Sequence, residues 1–264
     1  IELRRETYPG QLNVAFTRGF VSSQAFVDNY ESKGAISTLL PEKAEDGLTF
    51  VPTHPLADKA LAWMGFEARS AILELLDEAI ADEKAQVRVV AYDLNEPGVV
   101  SRLEKIGARL KVIIDDEGAH GEPAAGETQA EKRLVHSAGA VNVKRQHMGK
   151  LQHNKTIVVD GPKTQAVVCG STNFSWRGFF VQANNAVVMR GKNAIKPFAD
   201  AFDQYWASNS VDAFGKTASA QWTDVKLKGI KAKVSFSPHA PANALLNTIA
   251  ADVADGTTSN LFYS

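Results

Sequence analysis

The chain has 264 residues, 44% of them hydrophobic and 22% charged, with a net charge of −1. This is the profile of a soluble globular protein; it excludes a disordered chain and carries no global basic signal of the kind a dedicated nucleic-acid binder shows. Cys169 is the only cysteine, which excludes an intrachain disulfide and a cysteine-rich metal cluster, and no apolar run reaches the length of a membrane span. The first residue is Ile1 rather than Met, which suits removal of a leader or a tag; a soluble chain, secreted or periplasmic if a leader was removed, fits, and the compartment stays open.

Residues 1–60 are mixed in pattern, with aromatics at Phe16, Phe20, Phe26, Tyr30 and Phe50, and read as an arm or the tail of an upstream region. From Phe66 the pattern sharpens. Ile72, Leu75, Leu76, Ala79 and Ile80 recur at helical spacing, predicting an amphipathic helix over 66–83. A β-rich run at Val87–Tyr92, a helix near Val99–Ile106, a strand at Leu110–Ile114, a helix near Glu127–Ser137 and a strand at Ala140–Lys144 follow. This alternation predicts an α/β layer with a mixed, mainly parallel sheet flanked by helices. Two runs without an intervening helix, His153–Val159 and Thr164–Cys169, flank Asp160-Gly161-Pro162-Lys163 and predict a hairpin. Asn185–Met189 reads as a further strand and Ala194–Trp206 as a helix. The unit so defined spans 61–215.

Residues 245–264 align without gaps on residues 72–91, an offset of 173, with Leu245 on Ile72, Ile249 on Leu76 and Val253 on Ile80. Any two amphipathic helix-then-strand segments share some likeness, but the match suggests that a second repeat opens in 226–264. It would end on a strand at Ser259–Ser264, and a copy of His153 at the same offset would fall past residue 264. The expectation is one complete repeat and the truncated start of another.

In HNKTIVVD, residues 153–160, His153 and Lys155 stand two apart on a strand, so both side chains leave one face. Asp160 has the opposite parity and sits at the turn, where it would brace local structure rather than touch substrate. If residues 160–163 form the turn, Val159 pairs with Thr164 and His153 lies opposite Gly170, bringing Ser171 and Asn173 beside His153 and Lys155. An imidazole can attack phosphorus and split a difficult displacement into two steps. A lysine, an amide and a hydroxyl supply charge and donors to phosphoryl oxygens, and Gly170 permits close approach. A bare His-x-Lys on an exposed strand is usually a solvated pair; the GSTN run placed opposite it favours the functional reading.

HNKTIVVD followed by GSTNFS resembles the His-x-Lys-x4-Asp and Gly-Ser-x-Asn signature of the phospholipase D superfamily. The order of AYDL (91–94), KVIID (111–115) and VNVKRQ (141–146) ahead of the motif is similar to one repeat of that family. The resemblance covers roughly residues 60–210. It implies a two-lobed α-β-α sandwich in which two motifs meet, one histidine becoming phosphorylated while the other acts as general acid and then base, with no cofactor or metal. It assigns His153, Lys155 and Asp160 to the catalytic motif, and Lys155, Ser171 and Asn173 to the substrate phosphate. The second histidine would come from a companion polypeptide, a missing C-terminal region or a homodimer mate. Two departures stand out. The gap from Asp160 to Gly170 is longer than the family's, and the acid that often orients a catalytic histidine is replaced by Gln182, Asn184 and Asn185. Asn184 could orient a ring by a hydrogen bond but could not stabilise an imidazolium as a carboxylate does.

Asp115-Asp116-Glu117 reads as a solvated acidic loop, since no histidine spacing supports a metal. His147 reads as a loop histidine placed to line the cleft. Phe174, Trp176, Phe179 and Phe180 around Arg177 read mainly as core; if exposed, they would form an apolar lip for acyl chains or bases. Three functions compete: a hydrolase or transphosphatidylase acting on phospholipid, a metal-independent nuclease of the same superfamily, and an inactive half serving as a binding or structural chain. The aromatic cluster, the apparent two-repeat design and the near-neutral charge favour phospholipid.

Overall fold

The computed structural model describes residues 7–19, 23–241 and 244–256. Its centre is a seven-stranded sheet in the order β1-β7-β6-β5-β2-β3-β4. The strands are β1 (Leu12–Phe16), β2 (Gln86–Ala91), β3 (Leu110–Ile114), β4 (Val143–Arg145), β5 (Lys155–Asp160), β6 (Gln165–Gly170) and β7 (Asn185–Arg190). Val87, Val89, Val112, Ile114, Ile157 and Val159 point to one face, and Val90, Ile113, Val158 and Val167 to the other. Both faces are buried, which is why these strands read as near-continuous apolar runs rather than as alternation. The first face is covered by α2 (Ala57–Ala81), α3 (Pro97–Ile106) and α4 (Gly126–Ala138), with Phe26 of the short α1 (Gln24–Asn29) joining the same core, and the second by α5 (Lys192–Ala207).

The α/β class and the flanking helices match the expectation; the share of parallel pairing does not. Parallel pairs are confined to β2-β3-β4, and β2-β5, β5-β6, β6-β7 and β1-β7 are antiparallel. The physical reason is connection length. Helical crossovers through α3 and α4 return the chain for β3 and β4, whereas residues 146–154 bring β5 back beside β2 without a helix, and β6 and β7 each reverse against the strand before.

Helix α2 starts nine residues before the predicted position. Phe66, at φ 44° and ψ −135°, breaks it where the sequence pattern sharpens, so the predicted helix is its second segment. The hairpin turn lies one residue later than predicted. Gly161 N–H donates to the Thr164 carbonyl, Asp160 pairs with Gln165 and Ile157 with Val168. The pairing is therefore shifted by two residues. A one-residue slip would turn every side chain to the other face; two preserve it.

Residues 7–60 do not stand off as an arm. Strand β1 closes the sheet edge against β7, Phe26 and Leu39 join the main core, and Trp176 Nε1 donates to the Gly47 carbonyl at 2.8 Å. After α5 come α6 (Val211–Gly215), a two-stranded hairpin of β8 (Thr223–Leu227) and β9 (Ile230–Val234), and α7 (Ala244–Gly256). Leu246, Ile249 and Val253 of α7 are exposed. The strand expected at 259–264 lies outside the described residues. No helix among the described residues is long and apolar enough to cross a membrane.

Candidate active site

Because β5 runs antiparallel to β2, with Lys155 opposite Ala91, the start of β5, the end of β2 and the end of β6 meet at one edge of the sheet. Tyr92 closes the end of β2 and organises that edge. The exposed His153 ring stands nearly perpendicular to it, centroids 4.6 Å apart at 70°, and the Lys155 ammonium lies over its face at 4.7 Å. His153 precedes the strand rather than lying on it, yet both side chains converge on one ring, as their two-residue spacing requires. Lys155 is buried at 7% exposure and donates to the His153 carbonyl.

The electrostatics favour a neutral imidazole. Burial, and then the Lys155 charge, push the His153 pKa below its ordinary value, with Asp93 and Asp115 pulling the other way. Burial brings Lys155 down to about 8, partly opposed by the same two carboxylates. A free nucleophilic lone pair and a cation that remains mostly charged at neutral pH thus sit side by side.

Gly170 ends β6 at φ 141°, where a Cβ would lie 2.5 Å from the Asn185 carbonyl oxygen, so only glycine fits. Past it, the Ser171 and Thr172 N–H groups both donate to that carbonyl at 3.1 Å, and Ser171 Oγ accepts from Asn185 N–H at 3.0 Å. Phe174 bridges to Leu94, its carbonyl accepting from Asn95 and Glu96 N–H, so residues 173–175 run beside the end of β2. Asn173 is buried, and its Oδ1 has no hydrogen-bond partner. An orphaned buried amide costs about 1–3 kcal/mol, and a half-turn of the amide presents Nδ2 to the same space.

Two predicted residues are not brought to this edge. Asp160 is exposed at the far end of β5, about 16 Å from Lys155 at the rise of an extended strand. The brace expected of it is Asp82, whose buried Oδ2 accepts from Lys163 N–H at 2.8 Å and Thr164 N–H at 3.0 Å. Asn184 donates through Nδ2 to the Gly178 carbonyl at 2.9 Å and to Gln182 Oε1 at 3.3 Å; it ties a loop and bonds no ring. Phe174, Trp176, Phe179 and Phe180 are all buried, so they form no apolar lip.

The acidic loop is also not what the sequence suggested. Asp115 is fully buried: Oδ2 faces His120 Nδ1 at 2.8 Å and accepts from Glu117 N–H at 3.1 Å, while Oδ1 accepts from Gln152 N–H at 2.6 Å. The other ring nitrogen of His120, Nε2, lies 3.2 Å from Asp93 Oδ1. Burial lowers the His120 pKa, but the bonds to Asp115 and Asp93 outweigh it and hold the imidazole at about 10. Asp116, which pairs with His147 at 2.8 Å, and the exposed Glu117 do behave as loop acids. Sequence reasoning missed Tyr92, Asp93, Asp115 and His120 as a group. The available signal was position: Tyr92-Asp93 and Asp115 directly follow the carboxyl ends of parallel strands, where sites in α/β sheets form.

Asp93, His120 and Glu127 bring donor atoms within 4.8 Å of one another beside a cavity of about 290 Å3 that Ser175 and Arg177 also line. Both nitrogens of His120 are committed to carboxylates and Glu127 Oε1 accepts from Leu94 N–H, so the cluster is an ion-pair network.

A family model described as "Cardiolipin synthase, PLD-like domain" matches residues 72–206, just over half of the chain. The chain belongs to the phospholipase D superfamily. As a phospholipase D-like protein it falls among phosphodiesterases. Among solved structures it is similar to the phospholipase D family member Nuc from Salmonella typhimurium, at 25% identity over 53% of this chain and 85% of that one, TM-score 0.40. It is also similar to the polyphosphate kinase of Porphyromonas gingivalis (13% identity, 60% of this chain, 26% of that one, TM-score 0.44) and to NucT from Helicobacter pylori (15%, 53%, 91%, 0.39). No curated protein matches the chain.

Proposed function

We propose that the protein is a phospholipase D-type hydrolase or transphosphatidylase in which His153 is the nucleophile and phospholipid the substrate. The observation that carries this reading is the meeting of the exposed, neutral-leaning His153 imidazole with the Lys155 ammonium on the Tyr92 ring. In the first step an imidazole nitrogen forms the N–P bond as the ester P–O bond breaks, and the leaving alkoxide takes a proton from a general acid. In the second, water or an alcohol attacks phosphorus, loses its proton to the conjugate base and releases His153. Lys155 and the amide of Asn173 would hold the phosphoryl oxygens as charge develops. Ser171 Oγ accepts from Asn185 N–H, which leaves its O–H to donate to a phosphoryl oxygen, whereas its own N–H is already bound to the Asn185 carbonyl.

The general acid is proposed to come from a second motif, on a companion polypeptide, a further part of the chain or a homodimer mate. His120 does not fill that place, since Tyr92 stands between the two imidazoles and both His120 nitrogens are bound. The region 226–264 is proposed as the opening of the second repeat, with the exposed side chains of α7 as the face it would cover.

The family description and the near-neutral charge support phospholipid. The burial of Phe174, Trp176, Phe179 and Phe180 favours the second reading, a nuclease, because the lip that would receive acyl chains is not formed. Phosphatidylcholine and single-stranded DNA assayed side by side in EDTA separate the two. His153→Ala should abolish hydrolysis of bis-p-nitrophenyl phosphate, and undiminished turnover would remove His153 from the mechanism.

A further inference from the structure

The site lacks the acid that would orient and counter-charge His153, because Asn184 is tied to its own loop. Three charged side chains from separate elements meet instead beside Tyr92. Asp93 follows β2, Asp115 follows β3, and His120 lies in a short helical turn beyond it. Their contacts reach His153 by two routes. Through the ring, Tyr92 is wedged between the imidazoles, its centroid 4.5 Å from that of His120 and 4.6 Å from that of His153. Through the main chain, the Asp115 carboxylate divides between His120 Nδ1 and the N–H of Gln152, the residue before His153.

The charges point the same way as the contacts. Of the three carboxylates around the His120 imidazolium, Asp93 and Asp115 are the two whose charge raises the His153 pKa, while Glu127 bears on His120 and accepts from Leu94 N–H. Held at about 10, His120 stays charged throughout the range in which His153 titrates. The groups that face His153 are Lys155 from β5, Asp93 and Asp115 from the ends of β2 and β3, and neutral Tyr92 between. His120 acts on this field by offsetting the two aspartates.

We propose that Asp93, His120 and Asp115 form a composite counter-charge that positions His153 and sets its protonation, in place of the acid absent at Asn184. The consequence for turnover rests on His153 being the nucleophile; the electrostatic coupling does not. None of the three touches substrate, so they are positioning residues.

The test is an NMR titration of the His153 imidazole in the full chain, with the pH profile of bis-p-nitrophenyl phosphate hydrolysis recorded alongside. His120→Gln keeps an amide to bond Asp115 but removes the positive charge, so His153 should titrate higher by about half a unit or more. Asp93→Asn removes a negative charge and should move it lower by a similar amount. The acid limb of the rate profile should follow each shift. Opposite signs are the signature, because loosened packing alone would not move the two variants in opposed directions. Shifts of one sign in both variants, or none in either, would overturn the proposal. Inactivity of the unmodified protein would point to a second motif outside this chain and would leave the titration a complete test of the coupling.

Discussion

Asp115→Asn separates the folded geometry from the sequence pattern more sharply than any other substitution. As part of a solvated acidic loop, Asp115 would tolerate the change within about 0.5 kcal/mol. In the structure it is fully buried and receives two main-chain N–H groups besides the bond to His120. Asparagine keeps one acceptor oxygen, and its amide NH2 must then face a donor. The imidazolium also loses one of its two counter-charges. Breaking a buried charged pair on one side typically costs about 3–5 kcal/mol, a large fraction of the roughly 5–15 kcal/mol by which a domain is stable. For a chain of this length that lowers the melting temperature by about 6–10 °C. Asp116→Asn is the internal control: its carboxylate is 31% exposed and pairs with a 38% exposed histidine, so its loss should cost less than about 1 kcal/mol. Urea and thermal unfolding of both variants give the comparison. Equal melting temperatures for the two would show that Asp115 is not the buried anchor described.

Stability should fall at alkaline pH, because the folded pKa of His120 is raised to about 10 from an ordinary 6.5. Its contribution is complete below pH 6.5 and disappears as pH rises towards 10; melting curves across that range should show the loss in the unmodified protein and a flatter profile in His120→Gln. Turnover should decline as pH rises through about 8, where Lys155 loses its proton; an alkaline limb that persists unchanged in Lys155→Met would assign it elsewhere. Gly178→Ala would place a Cβ 2.2 Å from the Asn173 carbonyl oxygen. It should displace the amide proposed to hold phosphate and raise KM several-fold in steady-state assays, and an unaltered KM would detach Asn173 from substrate binding.

The local elements and the paired motif were legible from the residues alone. Hydrophobic periodicity is a property of neighbouring residues, so β3 and the bodies of α3, α4 and α5 were legible, as was the convergence of His153 with Lys155. The hairpin register was misjudged by two residues, but side chains alternate with period two, so the paired residues of β5 and β6 kept their expected faces. Tertiary structure decided what depends on distant partners. Residues 12–16 carry no strong strand pattern and become a strand by pairing with β7. Asp82 and Asp160 look alike in sequence, and only folding buries the first against the turn and leaves the second in water. The same holds for Asp115 and Asp116, adjacent acids with opposite surroundings. Burial, and the counter-charge that burial makes necessary, arise only when the ends of β2 and β3 are brought together around Tyr92.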